Sequence, residues 1–142
     1  MKSHIIYLIL TIIFSLLSVS FSLGEDKSNQ IKEYTATIDQ DGVQRVEIVG
    51  GGYYFDPNYI TVKANVPVEL TVTKEPGIVP HNIVMKSPET GIEFAKNLSI
   101  DPQIITFTPT KPGKYPIYCN KKLLFFENHS EKGMKGTLEV LE

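Results

Sequence analysis

The stretch Pro67-Val68-Glu69-Leu70-Thr71-Val72-Thr73-Lys74-Glu75-Pro76-Gly77-Ile78-Val79-Pro80-His81-Asn82-Ile83-Val84-Met85 sets the architecture. Val68, Leu70 and Val72 alternate with Glu69, Thr71 and Thr73. Successive side chains of a strand leave opposite faces, so this alternation predicts a strand with one buried face and one wet face. Pro76-Gly77 is turn chemistry, and the run 81–85 after it, with Ile83-Val84-Met85, predicts a second strand.

Working outward, runs rich in Val, Ile, Thr, Tyr and Phe recur at 43–49, 59–63, 104–109, 114–119 and 136–141. These are the residue types that fit a pleated, half-buried surface. Asp41-Gly42, Gly50 to Gly52 and Lys111-Pro112-Gly113 punctuate them with turns. The chain shows neither a long helical period nor an internal repeat. The spacing predicts an all-β chain folded as a β-sandwich of about 7–8 strands. Segment 90–98 reads as less regular, a short helix or an excursion on one edge.

The 142 residues, 42% hydrophobic and 21% charged, have room for one domain with a core of its own. The N-terminus departs from the rest. Lys2 precedes an apolar run over 5–21 broken only by Thr and Ser, followed by small residues and a polar stretch. That order predicts a secretory leader over 1–24, a polar lead-in over 25–33 and the folded domain over 34–142. The expected location is therefore outside the cytoplasm, in the periplasm or the wider cell envelope, with membrane attachment only where the leader is retained as an anchor. Removing 1–24 costs only Lys2 among the charged groups, leaving 13 basic against 16 acidic residues and a net charge of −3. This gives no support for nucleic-acid binding.

Cys119 is the single cysteine, which excludes an internal disulfide. In an exported chain a lone thiol is free, crosslinked to another chain, or a metal ligand. Beyond the leader the chain carries only two His, one Cys and two Met, and four of these five are His81, Cys119, His129 and Met134. Two imidazoles, one thiolate and one thioether form the donor set of a blue-copper site, trigonal with a long axial bond. Met85, two positions along a strand from Ile83, reads as core.

At these residues the chain resembles the cupredoxins, the small blue-copper proteins typified by plastocyanin and azurin. The likeness runs from about Gly52 to Glu142. It includes Phe55-Asp56-Pro57 with Ile60, Val62 and Lys63, then His81-Asn82, and finally Pro112-Gly113-Lys114-Tyr115-Pro116-Ile117-Tyr118-Cys119. The resemblance implies a Greek-key β-sandwich holding one copper ion per chain that cycles between Cu(I) and Cu(II). It implies His81, Cys119 and His129 as equatorial ligands and Met134 as the axial one. It further implies that Asn82 ties the two ligand loops together near the cysteine sulfur.

The departure from the family is the nine residues between Cys119 and His129, where a shorter interval is usual. Lengthening such a loop from about four to nine residues costs on the order of 0.7 kcal/mol, so length alone does not exclude the site. Glu127 is the one carboxylate on this loop able to replace Met134 or to act as an acid or base. The run Lys121-Lys122-Leu123-Leu124-Phe125-Phe126 admits two readings: a docking patch beside an exposed edge of His129, ringed by Lys121, Lys122 and Lys132, or Leu124 and Phe126 capping the core.

The expected function is one-electron transfer with redox partner proteins such as cytochromes or an oxidase or reductase, and not catalysis. The alternative is a copper enzyme or copper-handling protein with a variant, non-blue mononuclear site. An enzyme needs an open coordination position and a nearby acid or base. A storage or delivery protein would offer several Met or His on an open surface, more than this chain has.

Overall fold

The computed structural model describes residues 30–122 and 124–142. The expected leader, most of the polar lead-in and Leu123 lie outside the described residues.

The predicted alternation is realised along Val68–Lys74, where Val68, Leu70 and Val72 are buried and the residues between them are half-exposed. The same logic builds the other strands. In chain order they are β1 (Glu33–Thr35), β2 (Gln44–Gly51), β3 (Tyr54–Asp56), β4 (Tyr59–Lys63), β5 (Val68–Lys74), β6 (Asn82–Ser87), β7 (Ile92–Asn97), β8 (Gln103–Phe107), β9 (Gly113–Tyr118) and β10 (Lys135–Leu141). The fold is an all-β, cupredoxin-like Greek-key sandwich, with ten strands among the described residues where the sequence predicted about seven or eight.

The strands form two sheets, β1-β4-β10-β9-β6-β7 and β3-β2-β5-β8. Their inward side chains, including Val46, Ile48, Phe55, Ile60, Leu70, Ile83, Met85, Ile117 and Leu138, fill a single core. Met85 is buried there, as its strand position implied. At about 25 cal/mol per Å2 of apolar surface removed from water, this layer is the main source of stability. Buried Gln44 closes the end of the sandwich near the 63–67 turn: its amide nitrogen donates to Lys63 O at 3.1 Å, and its amide oxygen accepts from Lys63 N at 2.7 Å.

Segment 90–98 takes the edge position that the sequence offered as one reading, but as a regular strand. A single 3-10 turn over Pro88–Thr90 leads into β7, an ordinary edge strand paired antiparallel with β6. Only Ile92 of β7 is buried, so the period-2 signal that marks β5 is absent. Glu33, the last residue of the expected lead-in, opens β1 and pairs with Tyr59.

Strand direction gathers several termini at one end of the larger sheet. β1, β4 and β10 run parallel, and Glu33, Tyr59 and Thr137 share one level. β9 runs antiparallel to β10 with Tyr118 opposite Lys135, and β6 pairs with β9 at Val84 and Tyr118. The start of β6, the end of β9 and the starts of β10, β4 and β1 therefore meet at the same end.

Candidate metal centre

His81 immediately precedes β6 and Cys119 immediately follows β9, so antiparallel pairing alone brings these two residues together. His129 joins them from the connection between β9 and β10. The Nδ1 atoms of His81 and His129 stand 3.1 Å apart, and Cys119 Sγ lies 3.6 Å from His129 Nδ1. The three donor atoms all fall within 4.8 Å of one another. All three residues are buried, at 5% exposure for His81, 0% for Cys119 and 1% for His129. The exposed edge expected for His129 is therefore covered.

The nine-residue interval reaches this geometry because its base is pinched shut. Lys122 pairs with Asn128 in an isolated antiparallel bridge, and His129 N donates to Lys121 O at 2.9 Å. Residues 124–127 form an exposed tip without separating His129 from Cys119. Asn128-His129-Ser130-Glu131 then folds as a capping box: Asn128 N donates to a Glu131 carboxylate oxygen at 2.9 Å, and Glu131 N donates to Asn128 Oδ1 at 3.0 Å. This turn fixes the backbone that carries His129.

Met134 closes the loop. Its amide donates to His129 O at 2.9 Å, and its carbonyl accepts from Cys119 N at 3.1 Å. Its side chain is fully buried, with the terminal methyl packed toward Gly50, where an added Cβ would sit 3.2 Å from Met134 Cε and 2.4 Å from Leu98 Cδ1. Gly50 is thus a close-approach glycine that leaves room for the thioether.

Asn82 occupies the bridging position that the family resemblance implied. Its backbone N–H donates to Cys119 Sγ at 3.4 Å. Its side chain donates to Asn120 Oδ1 at 2.8 Å and accepts from Asn120 N at 3.0 Å. Backbone and side chain together clamp the His81 loop to the Cys119 loop.

Tyr53 is a residue that sequence reasoning missed. Gly51 pairs with Tyr54, leaving Gly52 and Tyr53 as a two-residue hairpin loop with φ of 51° and 65°. Both values are positive, as a type I′ turn requires. For a non-glycine residue such a conformation costs on the order of 1 kcal/mol. The turn presents the Tyr53 ring edge-on to both imidazoles, with centroids 5.0 Å from His129 and 6.1 Å from His81. Lys132 Nζ stands 4.8 Å from the Tyr53 ring centroid and 5.6 Å from that of Phe126. The signal available in the sequence is Gly50-Gly51-Gly52 followed by an aromatic residue, which by itself marks only a turn.

Burial works against protonation of both imidazoles. Burial foremost, then the neighbouring His129 and Lys74, push the His81 pKa down to about 4. Burial and then Lys132 also lower that of His129. Neutral imidazole and thiolate are the forms that ligate metals, and the donor set is matched in type and distance to a soft or borderline ion such as copper.

Of the four residues proposed from sequence, the structure brings His81, Cys119 and His129 into one cluster and joins Met134 to it through backbone hydrogen bonds with His129 and Cys119. Among the described residues, no carboxylate joins the cluster, and Glu127 lies exposed on the tip. Leu124 and Phe126 do not cap the core: they are 75% and 59% exposed, and Phe125 is 99% exposed.

A family model described as a cupredoxin-like domain matches residues 8–140. No curated protein sequence matches the chain significantly. Among solved structures, the chain is similar to the metal-binding domain of the Cu(I)-exporting P-type ATPase CopA of Streptococcus pneumoniae D39. The TM-score is 0.59 at 19% identity, covering 80% of this chain and 99% of that one. It is also similar to auracyanin A, a blue copper protein of Chloroflexus aurantiacus, with TM-score 0.53 at 18% identity over 70% of this chain and 100% of that one. The periplasmic domain of cytochrome oxidase subunit II of Bradyrhizobium japonicum gives TM-score 0.52 at 15% identity, over 69% and 83% respectively. At these identities the likeness is one of fold.

Proposed function

Because the chain belongs to the cupredoxin-like domain family, we propose that it is a copper-binding electron carrier of the cell envelope, in which His81, Cys119, His129 and Met134 would hold the ion. The convergence of two imidazole Nδ1 atoms and one thiol sulfur in a buried pocket carries this reading.

Copper held by this donor set supplies a one-electron couple between Cu(I) and Cu(II). The protein's part is to fix the donors in advance. The pinched base of the 120–134 loop and the Asn128 capping box hold His129, while the Asn82 clamp holds Cys119. Rigid donors favour rapid electron exchange, because little rearrangement accompanies the change of charge. The Asn82 N–H aimed at Cys119 Sγ and the Lys132 charge behind Tyr53 both favour the state with less positive charge at the site.

Burial of both histidines, in a cluster that no carboxylate joins among the described residues, argues against catalysis at an open coordination position. The expected partners are redox proteins such as cytochromes or an oxidase or reductase, and the expected location is the periplasm or envelope, with 1–24 acting as leader. Among the described residues, no helix is long and apolar enough to cross a membrane. A spectroelectrochemical titration tests the electron-carrier reading. It is expected to show one copper per chain with a reversible one-electron couple. Tight copper binding without such a couple would instead make the protein a copper-handling module.

A further inference from the structure

The tip of the 120–134 loop lies beyond the pinched base and displays Leu124, Phe125 and Phe126 to solvent. Ile78, on the loop between β5 and β6, projects fully exposed from the same end of the sandwich. Isolated exposed apolar residues are ordinary, whereas a contiguous aromatic tip has an occupant.

Two observations point to what that occupant is. The first is charge: the tip is flanked by Lys121, Lys122 and Lys132 in a chain whose acidic residues outnumber its basic ones, 16 to 14. The acids of this loop are Glu127 and Glu131, and Glu131 is turned inward onto the Asn128 amide; elsewhere at this end Asp56 pairs with Lys32 and Glu75 accepts from the Tyr54 hydroxyl. Basic residues around an apolar aromatic tip match an anionic headgroup layer over acyl chains. The second is the path of the chain. Gln30, the first described residue, accepts through its carbonyl a hydrogen bond from Asn58 Nδ2 at 2.7 Å, and Asn58 O accepts from Thr137 N at 2.8 Å. The chain therefore enters β1 at the metal end of the sandwich, and the apolar run over 5–21 lies upstream of that point. A leader inserted in the membrane during export, or kept there, would deliver the domain with this end toward the lipid.

We infer that the metal end of the sandwich rests on an anionic lipid surface, with Leu124, Phe125 and Phe126 inserted at the boundary between headgroups and acyl chains. The interaction is interfacial, and such insertions reach about 5–10 Å.

The chain contains no tryptophan, so Phe125→Trp introduces a single fluorophore at a position where the side chain has no packing to lose. The full unprocessed chain carrying this change is reconstituted in phosphatidylglycerol vesicles. Its emission is expected to shift to the blue and to be quenched by brominated acyl chains. Leu141→Trp, at the opposite end of β10, is expected to be quenched only by aqueous iodide. The double variant Lys121→Gln/Lys122→Gln, added to Phe125→Trp, is expected to weaken the lipid quenching. Phe125→Trp emission that responds to iodide and not to brominated lipid would overturn the inference and leave the tip to a protein partner. Equal lipid quenching of the Leu141→Trp and Phe125→Trp variants would overturn it as well, because the domain would then have no preferred end.

Discussion

The backbone amide of Asn82 points at Cys119 Sγ from 3.4 Å across a sequence separation of 37 residues, while the Asn82 side chain is paired twice with Asn120. One residue therefore sets both the spacing of the two donor loops and the hydrogen bonding of the sulfur. Asn82→Ala removes both side-chain bonds and is expected to cost about 1–3 kcal/mol of stability, read as a lower denaturant midpoint. It is also expected to shift the reduction potential of the copper-loaded protein, since the sulfur is no longer held at a fixed distance from the amide. An unchanged midpoint and potential would remove Asn82 from this role.

The two histidines make the copper-free protein acid-sensitive. An unfolded chain titrates its histidines near 6.5, whereas burial holds His81 at about 4 and lowers His129 as well. Between those limits the unfolded state takes up protons that the native state refuses, so stability falls as the pH drops from about 6.5 toward about 4. Below the native value both states are protonated and His81 contributes no further loss. The check is a set of urea midpoints for the copper-free protein across that range, and a flat profile would contradict the buried neutral pair.

The pinched base implies that the tip is dispensable for the metal centre. Replacing residues 123–127 by an Asn-Gly dipeptide preserves the Lys122 and Asn128 pairing and supplies the turn that a two-residue hairpin requires. The copper spectrum is expected to be unchanged and the stability to stay within about 1 kcal/mol. Loss of the metal centre in this variant would mean that the tip positions His129 after all.

Much of the architecture was legible in the sequence because the central strands bury one face cleanly. Val68, Leu70 and Val72 are an example, and the turn residues around them leave few alternatives. The missed strands are edge or short elements: β1 has three exposed residues, β3 follows two positive-φ positions, and β7 buries only Ile92. Their pairing is fixed by neighbours distant in sequence, which a local pattern does not report. The clustered residues His81, Cys119 and His129 were legible because so few soft donors exist in the chain. The burial of His129 and the exposure of Leu124 and Phe126 were not, because both depend on the bridge between Lys122 and Asn128, which leaves no compositional trace. Tyr53 was hidden for a similar reason, its ring being aimed by a backbone conformation that few non-glycine residues adopt.

A copper centre built on Cys119 is tested most directly by the visible absorption and EPR spectra of the copper-loaded protein beside those of Cys119→Ser. One copper per chain and an intense charge-transfer band from the Cys119 sulfur are expected. Cys119→Ser is expected to lose the band while keeping its β-sheet circular dichroism. A copper-loaded protein without that band, or a band that survives in Cys119→Ser, would contradict a cysteine-ligated copper centre.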